Sequence, residues 1–112
     1  MNNDADYLDH ILECLEWIQR FTAGGREAFF RDRKTQSAVL RELQTLAEST
    51  QRLSDSLKNQ HPEIPWSNIA GFRNVLVHDY LGVNLERIWE IVERDLPPLQ
   101  ASVETMRREP GK

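Results

Sequence analysis

The chain has 112 residues, 39% hydrophobic and 29% charged, a balance that allows one compact domain with a real core and excludes collagen-like, wholly disordered and two-domain chains. A net charge of −4 excludes a dense, nonspecific nucleic-acid binder, and a single cysteine excludes an internal disulfide and a thiolate metal cluster. No window approaches the roughly 18 apolar residues of a membrane span, and the acidic start MNNDADYLDH lacks the parts of a signal peptide, so a cytoplasmic protein without membrane contact is expected.

Tyr7, Leu8, Ile11, Leu12, Leu15, Ile18 and Phe21 recur at three- and four-residue steps, which predicts an amphipathic helix from about Asp4 to Ala23, ended by Gly24 and Gly25. Cys14 falls inside this helix and reads as a small buried thiol rather than a nucleophile. After an apolar knot, Ala28-Phe29-Phe30, a longer helix is predicted from about Thr35 to Asn59. Its Val39, Leu43, Leu46, Thr50, Leu53 and Leu57 alternate four and three residues apart, the spacing of a helix-packing seam.

The prolines of HPEIPW, residues 61 to 66, break that pattern. Ser67 can cap a third helix that turns Ile69, Phe72, Val75 and Leu76 inward and stops near Gly82. Asn84 can cap a fourth, with Leu85, Ile88, Trp89 and Val92 as its stripe. Pro97-Pro98 must kink or end it, leaving Leu99, Val103 and Met106 a final turn or two. No segment alternates with period two, so residues 1 to 112 read as a single all-α domain, a bundle of four or five helices packed up and down through short connections.

The charge is unevenly spread. Residues 1 to 19 carry five acids and no base, whereas residues 20 to 41 carry six bases (Arg20, Arg26, Arg31, Arg33, Lys34, Arg41) against Glu27 and Asp32, a local charge of +4. Eleven of the fourteen bases are arginine, the side chain suited to bidentate phosphate contacts, so Arg31, Arg33 and Lys34 stand out as candidates for binding RNA. A solvated helix surface would account for the same residues.

GFRNVLVHDYLG, residues 71 to 82, sets Arg73, Asn74, His78 and Tyr80 among core-type residues. A histidine can take a proton from a ribose 2′-hydroxyl or give one to a leaving 5′-oxygen, and a guanidinium can stabilise the charge growing on the phosphate. That scheme needs no metal, and the scattered His10, His61 and His78 form no ligand spacing in the sequence. Asn74 and His78, four apart, share a helix face, so the amide can orient the imidazole. Arg73 and His78, five apart, diverge by about 140° on a regular helix. Either the arginine reaches round near a frayed end, or a second copy of the chain completes the set across a two-fold axis. His78 beside Asp79 also suits a helix C-terminus, Arg73 an acid partner and Tyr80 a core edge, so spacing alone leaves a structural and a catalytic role open.

FRNVLVHDY matches the R-x4-H-x-Y motif of the HEPN superfamily, and the chain resembles its small HepT-like branch along nearly its whole length: DYLDHILECLEWI, FFRDRKTQSAVLRELQTLAES, HPEIPWSNIAGFRNVLVHDY and VNLERIWEIVERDLPPL follow in the family's order. LAES, residues 46 to 49, departs from an expected glycine-containing variant, within the packing seam. The resemblance implies a HEPN-type helical bundle forming a homodimer, with the motif helices of both subunits lining a shared cleft. It implies that Arg73 and His78 cleave RNA without metal or other cofactor, leaving a 2′,3′-cyclic phosphate, and that Asn74 assists. It further implies the toxin of a type VII HepT/MntA-like toxin–antitoxin pair, whose partner, an MntA-type minimal nucleotidyltransferase, silences it by adenylylating Tyr80. A noncatalytic helical module that binds a nucleotidyltransferase or a nucleotide is the alternative.

Overall fold

The computed structural model describes residues 3–77 and 84–109 of the chain, the side chains of 74–77 aside. Helix α1 runs Asp4–Phe21, α2 Arg26–Arg31, α3 Arg33–Arg52, α4 Asp55–Gln60 and α5 Trp66–Val77. Helix α6, Leu85–Glu90, passes through a π-helical stretch, Ile91–Asp95, into α7, Leu96–Arg108. With no strand among the described residues, the fold is the all-α bundle that the sequence predicts, with α1, α3, α5 and the joined α6–α7 as its four main rods.

The stripe read in the first helix is the one that is buried: Leu8, Ile11, Leu15 and Ile18 enter the core together with Cys14. The helix stops two residues short of Ala23, because Thr22 turns its hydroxyl back to donate to the Ile18 carbonyl (2.7 Å). Gly25 then takes φ +91°, a conformation that side chains with a Cβ rarely adopt, and starts α2. The apolar knot is therefore itself a helix. Phe29 is buried in it, its ring 5.4 Å from that of Trp89 on α6.

Helix α3 starts two residues earlier than the apolar pattern indicates, because Asp32 caps it. One carboxylate oxygen accepts from the Lys34 amide (3.0 Å), the other from the Thr35 hydroxyl (2.7 Å), and these bonds hold the carboxyl below its usual pKa. Val39, Leu43, Leu46 and Thr50 line the buried seam as expected. The seam does not continue as one helix to Asn59, however. Leu53 is extended, and the Ser54 hydroxyl accepts from the Leu57 amide (3.1 Å) to start α4, which leaves Leu57 half-buried on a separate helix. Ser54 also donates its amide (2.8 Å) and hydroxyl (2.6 Å) to Asp4, so the end of α3 is tied to the start of α1. His10 meets Ser49 at 2.6 Å on the same interface, so the two rods run antiparallel.

Pro65 ends the loop and α5 begins at Trp66, whose indole nitrogen donates to the His61 carbonyl (3.1 Å). Ile69 and Phe72 are buried, in agreement with the sequence pattern, and α5 packs along α3. Asn84 caps α6 by accepting from the Arg87 amide (3.1 Å), and Ile88 and Trp89 are buried behind it. Pro97 and Pro98 do not end this helix. Neither can donate an amide bond and each ring crowds the carbonyl four residues back, and the backbone accommodates them by widening into the π turn just before. Helix α7 therefore runs to Arg108, well beyond the turn or two expected, and buries Leu96, Leu99, Val103 and Met106. No helix among the described residues is long and apolar enough to cross a membrane.

Candidate nucleic-acid interface

Arg73 projects from the later part of α5, one residue after the buried Phe72. It is exposed, and no carboxylate oxygen of the described residues lies within 4.0 Å of its guanidinium. Asn74 follows it on the α5 backbone, its side chain outside what is described. His78 and Tyr80 lie outside the described residues, as does the expected helix end near Gly82. Their convergence with Arg73 is therefore an expectation carried by the sequence, within a frame that the structure supplies. The frame has two fixed ends. On one side the Trp66 indole anchors α5 to the preceding loop, and on the other the Asn84 cap fixes the start of α6.

The basic segment reaches that second end. Arg26 of α2 forms an ion pair with Glu86 of α6, while the Phe29–Trp89 ring contact buries the same junction. Arg31 closes α2, and Arg33 and Lys34 open α3 directly after it, so all three follow in the chain the contacts that hold α2 on α6. The structure also sorts the charges. Arg20 pairs with Glu16 (3.4 Å) and lies 5.1 Å over the Trp17 ring, and Arg31 pairs with Glu27 (3.6 Å). Such exposed pairs contribute little stability, yet they offset the charge a phosphate would meet. The side-chain cations of Arg33, Lys34 and Arg41 have no carboxylate oxygen of the described residues within 4.0 Å.

A depression of about 320 Å³ at the start of α6 brings Arg26, Arg87 and Arg94 together, but Glu86, Glu90 and Glu93 line it as well and balance them. Arg87 lies 2.7 Å from Glu90 and Arg94 3.8 Å. This surface is not an anion site by charge.

The remaining titratable groups serve the fold. His10 bridges to Ser49, and its other ring nitrogen is 4.0 Å from the Cys14 sulfur. Burial pushes the Cys14 thiol up to about 12, with Glu42 beside it adding to the shift, so the sulfur stays protonated and is no nucleophile near neutral pH. His61 lies between Glu63 (3.3 Å) and Glu109 (3.4 Å), which connects the α4–α5 corner to the end of α7. Periodicity along the chain carries no sign of the His10–Ser49 and His61–Glu109 contacts. Among the described residues no group of three or more His, Cys, Asp or Glu side chains could hold a metal ion.

Comparison with known proteins gives one consistent result. The family model described as "Ribonuclease HepT-like" matches residues 11–106. The chain is 39% identical over 104 residues to a "Probable ribonuclease HepT" of Thermococcus cleftensis, covering 92% of this chain and 94% of that one. It is 36% identical over 104 residues to a protein of Caldanaerobacter subterraneus named as a candidate RNase, covering 92% and 93% of the two chains. No solved structure matches it.

Proposed function

The chain belongs to the HepT-like ribonuclease family, and on that premise we propose that it is a metal-independent endoribonuclease, the cytoplasmic toxin of a type VII HepT/MntA-like toxin–antitoxin pair. The observation that supports this most strongly is the Arg73-Asn74-x3-His78-x-Tyr80 set inside a chain-long likeness to proteins named as ribonucleases. His78 takes the proton from a ribose 2′-hydroxyl, whose oxygen attacks the adjacent phosphorus. The P–O5′ bond breaks, the 5′-oxygen leaves with the proton that the imidazolium returns, and a 2′,3′-cyclic phosphate remains. Arg73, exposed and without a carboxylate neighbour among the described residues, holds the phosphate oxygens as their charge grows. Asn74 orients the imidazole, and two subunits of a homodimer face their motif helices across the RNA. Purified protein should cut single-stranded RNA in excess EDTA and leave cyclic phosphate ends. Cleavage that appears only on adding magnesium would contradict the metal-independent mechanism, and intact RNA under both conditions would leave a noncatalytic interaction module.

Tyr80 is the proposed site of silencing. A bulky, anionic adenylyl group two residues from His78 would occupy the phosphate site and bar RNA. Tyr80→Phe should keep RNA cleavage close to the wild-type rate while escaping silencing by the cognate nucleotidyltransferase. Mass spectrometry that finds AMP on Tyr7 instead would overturn the assignment.

A further inference from the structure

Six of the eleven arginines, Arg20, Arg26, Arg31, Arg87, Arg94 and Arg107, lie within 4.0 Å of a carboxylate. Among the described residues the others have no such neighbour, and three of those five, Arg33, Arg41 and Arg52, belong to α3, with Arg73 on the helix packed against it. The three exposed cations Lys34, Arg41 and Arg52 form a line. Steps of seven and eleven residues each return a helix to within about 20° of the same direction, so these side chains make a straight ridge about 27 Å long. The ridge points away from Leu43 and Thr50, which are buried on the opposite side of the helix. Glu48 stands on this line, seven residues after Arg41 and four before Arg52; it is half-buried and lies farther than 4.0 Å from both guanidinium groups. Asp32, at the head of the ridge, has both carboxylate oxygens engaged in the α3 cap. Thr45 turns its hydroxyl back to the Arg41 carbonyl (2.9 Å).

We propose that the outer ridge of α3, with Arg41 and Arg52 as its members beyond Lys34, binds the phosphate backbone of the single-stranded RNA that the motif helix cleaves. The proposal rests on the ribonuclease reading above. Helix α5, which carries Arg73, packs along α3, so the motif arginine and the ridge lie on neighbouring helices. Arginines spaced along a straight line fit a regularly charged polymer, and the locally neutralised arginines elsewhere do not.

The test uses a short single-stranded RNA methylated at every 2′-oxygen, which presents the same phosphates but lacks the attacking hydroxyl. Its affinity is measured against salt for wild type, for Arg41→Gln/Arg52→Gln, and for Arg94→Gln and Arg107→Gln, where a carboxylate already holds the arginine. Each lost phosphate contact should lower the slope of log affinity against log salt by about 0.7, or about five-fold in affinity between 1 M and 0.1 M salt. The double variant should therefore lose about 1.4 from the slope, and the two controls should match wild type. An unchanged slope in the double variant, or an equal loss in the controls, overturns the ridge. So does a double variant that keeps RNA binding and loses only a protein partner. Wild type that binds the methylated RNA with the ridge dependence but fails to cut its unmethylated counterpart sinks the ribonuclease reading alone.

Discussion

Replacing His78 by alanine is expected to lower the rate of RNA cleavage by about 10²–10⁴-fold, the usual worth of a positioned general acid or base, while leaving RNA affinity nearly unchanged. Arg73→Ala should cost about 10²–10³-fold through lost stabilisation of the phosphate charge. The two inactive variants together report the geometry. On a regular helix Arg73 and His78 diverge, so the proposed homodimer would draw the guanidinium from one subunit and the imidazole from the other. A mixed dimer of Arg73→Ala and His78→Ala subunits then keeps one intact site and loses the other. Co-expression or co-refolding of the two variants should recover part of the wild-type rate, which neither shows alone. If mixed dimers form and no activity returns, both groups act from the same subunit, and the two-fold site is wrong. Wild-type cleavage by His78→Ala would remove the catalytic assignment itself.

The second large effect is on stability. Phe29→Ala should destabilise the fold by about 3–5 kcal/mol, a large share of the roughly 5–15 kcal/mol typical of a domain. Phe29 is 1% exposed and packs its ring on Trp89. Its deletion therefore opens a cavity at the place where α2 holds the start of α6. Denaturant unfolding measures the loss directly, and a Phe29→Leu variant should recover part of it by refilling the space. A loss below about 1 kcal/mol would mean that the α2–α6 contact is not a structural anchor. Because the same contact fixes the exit of the motif segment, Phe29→Ala should also impair cleavage at temperatures where the protein is still folded.

Much of the fold is legible in the amino-acid sequence. The i, i+3, i+4 stripe of the first helix, the seam of Val39, Leu43, Leu46 and Thr50, and the cap offered by Asn84 are local rules, and each acts within a few residues. Local rules fail where they meet a partner from far along the chain. The seam continues to Leu57 by spacing, but Ser54, bonded to Asp4 fifty positions away, interrupts the helix. The prolines at 97 and 98 predict a kink or an end without deciding between them, and the packed Leu96, Leu99, Val103 and Met106 keep the rod going through a π turn. The start of α3 is itself a local signal, since an aspartate just ahead of a helix is a common cap, and apolar spacing alone misses it.

By itself the sequence determined the helical class, the buried stripes and the Arg-Asn-x3-His-x-Tyr set, whose spacing separates guanidinium from imidazole on a regular helix. Those properties follow from periodicity and side-chain chemistry over a turn or two. Only the tertiary structure decided which positive charges are available. Arg26 and Glu86, sixty residues apart, cancel because Phe29 and Trp89 bring their helices together, while Arg41 and Arg52 have no carboxylate within 4.0 Å among the described residues. A charge's neighbours are set by packing across the whole chain, and the sum of −4 contains no trace of that arrangement.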